Sequence, residues 1–220
     1  MVLATISKMK PAHELGQLPA GWEWTRIEEV CVVNPRRPRL HRSEQAPTSF
    51  LPMSGVDEVY GTIKTLETKP FVEVARGFTY FEEGDVLFAK ITPSMENGKC
   101  AIARNLIDGI GFGSTEFHVL RPGPRLISEW VHFYTRRLSF RLEAKRHFRG
   151  AVGQQRVPDE FIKSFPIPVP PSLEIQHNIV TRIDSLLTEA QRARILLEYM
   201  RRDIDRLDQS ILEQAFQREL

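Results

Sequence analysis

The stretch SLEIQHNIVTRIDSLLTEAQRARILLEYMRRDIDRLDQSILEQAFQ, residues 172–217, decides the architecture. It contains neither Gly nor Pro, the two residues that most disfavour a helix interior. Ile179, Ile183, Leu186, Ala190, Ala193, Leu197, Met200, Ile204, Leu207 and Ile211 recur at alternating spacings of four and three. That repeat lays one narrow apolar seam along a helix, the pattern of a coiled coil. The flanks are mostly polar: Asp184, Gln191, Glu198 and Asp205 on one side, Asn178, Arg192 and Arg206 on the other. Ser172 is placed to cap the helix, its hydroxyl accepting from an otherwise orphaned amide. At 1.5 Å per residue such a helix reaches roughly 70 Å. One compact domain does not cover that length, so part of the seam is expected to meet another chain or a second helix. The seam holds two alanines and no asparagine, which leaves parallel and antiparallel pairing both open.

Upstream of the helix, Pro166-Ile167-Pro168-Val169-Pro170-Pro171 is too rich in proline for a helix or a central strand. It reads as a stiff extended linker over 166–171, which gives a globular domain over 1–165 and a helix over 172–220. Within the domain, Leu18 to Trp24 forms a turn followed by aromatic anchors, and residues 34–49 read as a loop. Short β-type runs follow Gly84-Asp85, Asn97-Gly98 and Gly111-Phe112-Gly113-Ser114. Ile127 to Phe148 reads as a helix with Trp130, Phe133, Tyr134, Leu138 and Leu142 on one apolar side. The fold class expected is α+β: a β-rich globular domain followed by one long coiled-coil helix.

The net charge is only +2, but it is unevenly spread. Trp130 to Arg156 carries seven basic residues (Arg136, Arg137, Arg141, Lys145, Arg146, Arg149 and Arg156) against Glu143. Arg36, Arg37, Arg39 and Arg42 form a second cluster, whereas residues 172–220 sum to −2. Positive charge gathered on the globular part suits contact with phosphate; a solvated basic helix face is the competing reading. No apolar run is long enough to span a bilayer, and Met1 to Leu18 lacks the pattern of a secretory signal. Cys31 and Cys100 make neither a metal motif nor a disulfide framework. These features fit a cytoplasmic protein.

The sequence carries no recognisable catalytic signature. Gly109-x-Gly111-x-Gly113 leads into a strand pattern, so it is no dinucleotide fingerprint, and no lysine follows as a P-loop requires. There is no His-Glu-x-x-His. Asp159 and Glu160, with Lys163, are too close in sequence to converge on a nuclease metal. Asn34-Pro35-Arg36-Arg37 lacks the second proline and the aromatic ring of an adenine methyltransferase tetrad. The six histidines pair with no nucleophile that the sequence reveals. The residues therefore describe a binding protein with no metal site and no catalytic residues.

Gly84-Asp85-Val86-Leu87-Phe88-Ala89-Lys90-Ile91-Thr92-Pro93-Ser94-Met95-Glu96-Asn97-Gly98-Lys99 and Gly111-Phe112-Gly113-Ser114-Thr115-Glu116-Phe117 look like the core of a target recognition domain. Gly153-Gln154-Gln155-Arg156-Val157 and Phe161 to Pro171 resemble its end and the spacer beyond it. With Leu18-Pro19-Ala20-Gly21-Trp22 in front, nearly the whole chain resembles the DNA specificity (S) subunit of type I restriction–modification systems. Ser172-Leu173-Glu174-Ile175-Gln176 departs from the Leu-x-Glu-Gln common in that family, without cost to the helix. A larger departure is copy number: family members usually carry two recognition domains and two helices, and one of each is visible here.

The resemblance implies a half-length, non-catalytic subunit. Two copies would pair their helices antiparallel into a homodimer and read a bipartite target in double-stranded DNA. A methyltransferase (M) and a restriction (R) subunit would carry the chemistry, with S-adenosylmethionine, ATP and Mg bound there and no cofactor in this chain. Two alternatives stand beside it: a recognition fragment of a fused restriction–methylation enzyme, and a coiled-coil interaction protein that binds no DNA.

Base reading needs donor–acceptor side chains on a rigid frame, steered by phosphate contacts. Lys90, Thr92, Ser94, Asn97 and Lys99 lie in a loop bent by Pro93 and Gly98. Gln154, Gln155 and Arg156 lie in a second loop flanked by glycine. Arg141, Lys145, Arg146 and Arg149 suit phosphate better. Trp22, Trp24 and Trp130 read as core anchors.

Overall fold

A computed structural model describes residues 16–151 and 153–218, with the side chain of Arg218 excepted. The amino-terminal stretch read above for a signal lies almost wholly outside these residues, as do the last two positions of the helical segment. The chain forms two units, Met1–Gln176 and His177–Leu220.

Among the described residues the first unit holds ten strands in three sheets. β1 (Glu23–Arg26) pairs antiparallel with β10 (Pro166–Val169). A four-stranded antiparallel sheet runs in the order β2 (Cys31–Val33), β9 (Phe117–Pro122), β6 (Val86–Ala89), β7 (Cys100–Ile102). A second four-stranded sheet is ordered β4 (Glu67–Pro70), β3 (Pro47–Leu51), β8 (Ile110–Gly113), β5 (Thr79–Glu82), and β3 runs parallel to β8. Short helices α1 (Ile27–Val30) and α2 (Phe71–Val74) cap strand ends. Longer ones are α3 (Ser128–Arg136), α4 (Leu138–Arg146) and α5 (Asp159–Ser164).

The two four-stranded sheets meet through Leu51 and Phe81 on one side and Leu87, Ala101, Phe117 and Val119 on the other. Side chains alternate across a strand, so Phe88 leaves the opposite face of β6. Its ring meets Phe140 of α4 edge-on at 5.5 Å, and Phe140 meets Phe161 and Phe165. The β6 sheet is thus covered on both faces. All four residues of β6 are buried, which explains its continuous apolar run.

Three sequence expectations are revised here. Residues 127–148 form two helices, because Arg137 takes an extended backbone (φ −55°, ψ 140°) between them. The break turns Leu138 and Leu142 outward and buries Phe140 and Ala144 instead. The stretch 166–169 is a strand, wholly buried. Proline has no amide to offer a ladder but is tolerated in a two-stranded edge pair. The carbonyls of Pro166 and Pro168 are taken by the Tyr134 hydroxyl (2.6 Å) and by Trp130 Nε1 (2.9 Å). Residues 47–51, placed partly in a loop, form β3. Trp130 is the anchor the sequence indicated: it is buried, and Trp22 packs on it at 5.7 Å.

The second unit is helical. It belongs to α6 (Leu173–Arg218), whose first turn is capped as expected, Ser172 Oγ accepting from Ile175 N at 3.3 Å. The seam residues from Leu186 onward are exposed within the chain, and Ile179 and Ile183 are half-buried. Leu187, Ile195, Leu196, Tyr199, Leu212 and Phe216 lie off the seam and are exposed as well. Among the described residues no helix is long and apolar enough to cross a membrane.

Candidate nucleic-acid interface

β6 delivers the chain to the loop Lys90–Lys99 at the rim of its sheet. Tight backbone bonds close this loop: Met95 N to Ile91 O, Asn97 N to Pro93 O, Gly98 N to Met95 O and Lys99 N to Ser94 O, each 3.0 Å. Met95 is fully buried and plugs the loop from below. Gly98 has φ +87°, and a Cβ there would press on Arg141 Nη1 at 3.2 Å. Only glycine suits both the turn and the approach.

The second loop follows α4. Arg149 and Arg156 pair across it through backbone bonds of 3.0 and 2.9 Å, and Gln154 N turns back to Ala151 O. The two loops, about sixty positions apart in sequence, lie side by side. Thr92 N donates to Gln155 O at 3.0 Å, Val157 N donates to Lys90 O at 2.9 Å, and Ile91 bridges Arg156. The separate sequence candidates thus share one surface.

Several of these side chains are already occupied. Arg156 grips Glu116 through Nε (2.8 Å) and Nη2 (2.7 Å), and its Nη1 reaches Gln154 O. That bidentate grip holds the Glu116 carboxyl below the usual carboxylate range. Arg141 spends its donors on the carbonyls of Arg136 (3.2 Å) and Glu96. Lys99 Nζ binds Met53 O at 3.1 Å, and Thr92 Oγ1 donates to Glu96 Oε1 at 3.1 Å. Lys145 reaches Glu96 at 3.5 Å. Asn97 lies 3.4 Å from Glu58, and Arg149 lies 3.5 Å from Glu160. Arg146 pairs along its own helix with Glu143 at 2.8 Å, and no hydrogen bond or ion pair among the described residues ties it to either loop. Ser94, Gln154 and Gln155 make no side-chain hydrogen bond among the described residues, and Lys90 is half-buried beside Glu116.

The basic cluster is therefore less open than its count implies. Arg136 turns inward onto backbone carbonyls, and Arg137 stacks over the Tyr134 ring at 3.6 Å. The exposed cations of the cluster are chiefly Lys145, Arg146 and Arg149. Sequence reasoning missed Glu96, Glu116 and the inward role of Arg136. Nothing in their spacing marks a carboxylate or guanidinium whose partner comes from a distant segment.

Behind the second loop, His118 is wholly buried. Its Nε2 meets Val157 O at 2.8 Å and its Nδ1 faces Asn34 Nδ2 at 3.1 Å; burial lowers its pKa. Asn34 also bonds Asp159 at 2.9 Å. The histidine and two residues weighed above for catalysis thus form a structural brace. Cys31 and Cys100 are buried free thiols, pushed up to about 12 by desolvation.

Residues 19–197 match the type I restriction modification DNA specificity domain. The chain belongs to that family. It is 35% identical over 190 residues to the EcoAI specificity subunit of Escherichia coli, and 33% identical over 189 residues to the EcoEI specificity subunit of the same organism. Those alignments take in 83% of this chain but only 32% and 31% of the relatives, so the chain spans about a third of their length. Among solved structures, the HsdS subunit from Thermoanaerobacter tengcongensis superposes with a TM-score of 0.67 at 25% identity, over 90% of this chain and 49% of that one. A chain from a study of assembly and conformational transition of the type I R-M system superposes with a TM-score of 0.74 at 24% identity, over 90% of this chain and 50% of that one. This chain therefore spans about half the length of each of those two solved chains.

Proposed function

We propose that this chain is the DNA-reading component of a type I restriction–modification complex and has no catalysis of its own. The observation that carries this reading is the union of the two loops, joined by backbone hydrogen bonds into one surface, in a chain of the specificity family. A base-reading surface needs side chains with free donors and acceptors on a frame that does not move. Ser94, Gln154 and Gln155 are the readers on this account, joined by Asn97, whose long 3.4 Å contact with Glu58 leaves its amide oxygen available. Glutamine and asparagine match the paired groups of adenine in the major groove. Arg141, Lys99 and the Arg156–Glu116 grip hold the frame. Lys145, Arg146 and Arg149 meet phosphates, and Lys90 and Thr92 line the rim.

The seam of α6 takes a second helix. In the homodimer reading the two helices run antiparallel and set two identical domains a fixed distance apart. The target is then two short sequences separated by an unread spacer, palindromic by symmetry. The apolar side chains off the seam favour further helices around the pair, contributed by the methyltransferase subunit. S-adenosylmethionine belongs to that subunit, ATP and Mg to the restriction subunit, and the complex works in the cytoplasm.

Titration of a duplex with the chain at rising salt tests the DNA reading. Each phosphate neutralised contributes about 0.9 to the slope of log affinity on log salt. Lys145, Arg146 and Arg149 alone give a slope of about −2.7 per domain, and a flat response contradicts DNA binding.

A further inference from the structure

We infer that the loop Asp57–Gly61 is a third DNA-reading element of this domain, in which Val59 and Tyr60 contact the C5-methyl group of a thymine. The inference rests on the DNA reading above and adds a specificity determinant to it.

The loop is built to leave only its side chains available. Asp57 Oδ1 accepts from Val59 N and Tyr60 N, both at 2.8 Å, and Asp57 O accepts from Gly61 N at 3.0 Å. On the carbonyl side, Arg136 Nη1 donates to Tyr60 O at 2.5 Å, while its Nη2 donates to Val59 O at 2.9 Å and to Glu58 O at 3.2 Å. His132 Nε2 takes Gly61 O at 2.9 Å. Gly61 has φ +69°, and a Cβ there would collide with the Arg136 guanidinium. A half-buried arginine is therefore spent on three backbone carbonyls. That is a costly way to fix an exposed loop unless its shape matters.

The same joint of α3 and α4 holds the neighbouring loop. Arg141 donates to Arg136 O and to Glu96 O, so two arginines five positions apart hold the two loops from behind by their carbonyls. At the front, Asn97 Nδ2 meets Glu58 Oε2 at 3.4 Å, and a Cβ on Gly98 would lie 3.6 Å from Glu58 O. The Asp57–Gly61 loop thus continues the surface formed by the other two. Three of its side chains are exposed: Glu58 is turned to Asn97, and the apolar pair beside it is Val59, 58% exposed, and Tyr60, 46% exposed. The other two loops offer polar readers, which suit purine edges and cytosine. Thymine alone adds a methyl group to the major groove, and apolar side chains are what recognise it.

The test uses the methyltransferase complex containing this chain and a duplex carrying its target, as read out by methylation mapping. Each thymine of the target is replaced singly by deoxyuridine, which removes only the methyl group. The wild-type complex is expected to lose about 4-fold in affinity at one thymine per half-site, the effect of one buried methyl group. Tyr60→Ala with Val59→Ala is expected to bind thymine and deoxyuridine duplexes equally at that position, with an unchanged salt slope. Both side chains are exposed, so the unfolding midpoint of the variant stays close to wild type. The inference is overturned if no thymine is sensitive in the wild type, or if the double variant keeps the sensitivity. It is also overturned if the variant loses co-purification with the methyltransferase subunit while its DNA discrimination is intact, since the loop then serves a protein contact. A wild-type complex that does not distinguish target from random duplex defeats the underlying DNA reading instead.

Discussion

Arg156 lies on an exposed loop, yet its guanidinium is directed at Glu116 and at the Gln154 carbonyl. Removing the carboxylate frees the loop without touching the core. Glu116→Ala is therefore expected to speed tryptic cleavage after Arg149 and Arg156 several-fold, while cleavage elsewhere in the domain keeps its wild-type rate. A second residue-level prediction concerns His132. Burial between Gly61 O and Cys100 O depresses its pKa from 6.5 to about 4, so the folded domain keeps it neutral where the unfolded chain protonates it. The resulting stability is present above about pH 6.5 and is lost as pH falls towards 4. His118, lowered in the same direction by burial, adds to that slope. Unfolding midpoints across this range should decline, and His132→Gln should flatten the decline. Neither residue announced itself in the sequence. Glu116 and Arg156 are forty positions apart, and a histidine reads the same whether it faces water or two buried carbonyls.

Single elements were legible where local chemistry decides their form. α6 follows from its period and its Ser172 cap, and β6 from an apolar run between Gly84-Asp85 and a proline-bent loop. β10 was not legible, because Pro166 and Pro168 argue against a strand until Tyr134 and Trp130 are seen taking their carbonyls. The break at Arg137 also escaped the pattern: the apolar spacing runs straight through it, and packing of Phe140 against Phe88 decides the turn. These elements carry two predictions. Ile167 is fully buried in β10, so Ile167→Ala should cost about 2–5 kcal/mol, read as a lower denaturation midpoint. Leu197→Asp places a charge in the seam of α6 and should abolish helix pairing; a sedimentation experiment that still finds dimers contradicts the seam as the contact.

At the scale of the whole molecule, the α+β order of domain and helix was readable from the chain, and so was the family. The union of the loops was not, since it depends on which strand rims the sheet brings together. Thr92 and Gln155 meet only because β6 and the segment after α4 end at the same edge. The account's central claim is that this chain chooses the DNA sequence at which its partners act. Base-resolution methylation mapping tests it most directly, comparing cells that express the methyltransferase subunit with and without this chain. The account predicts a bipartite motif with an unread spacer, methylated only when the chain is present. The same methylation pattern in its absence would contradict it.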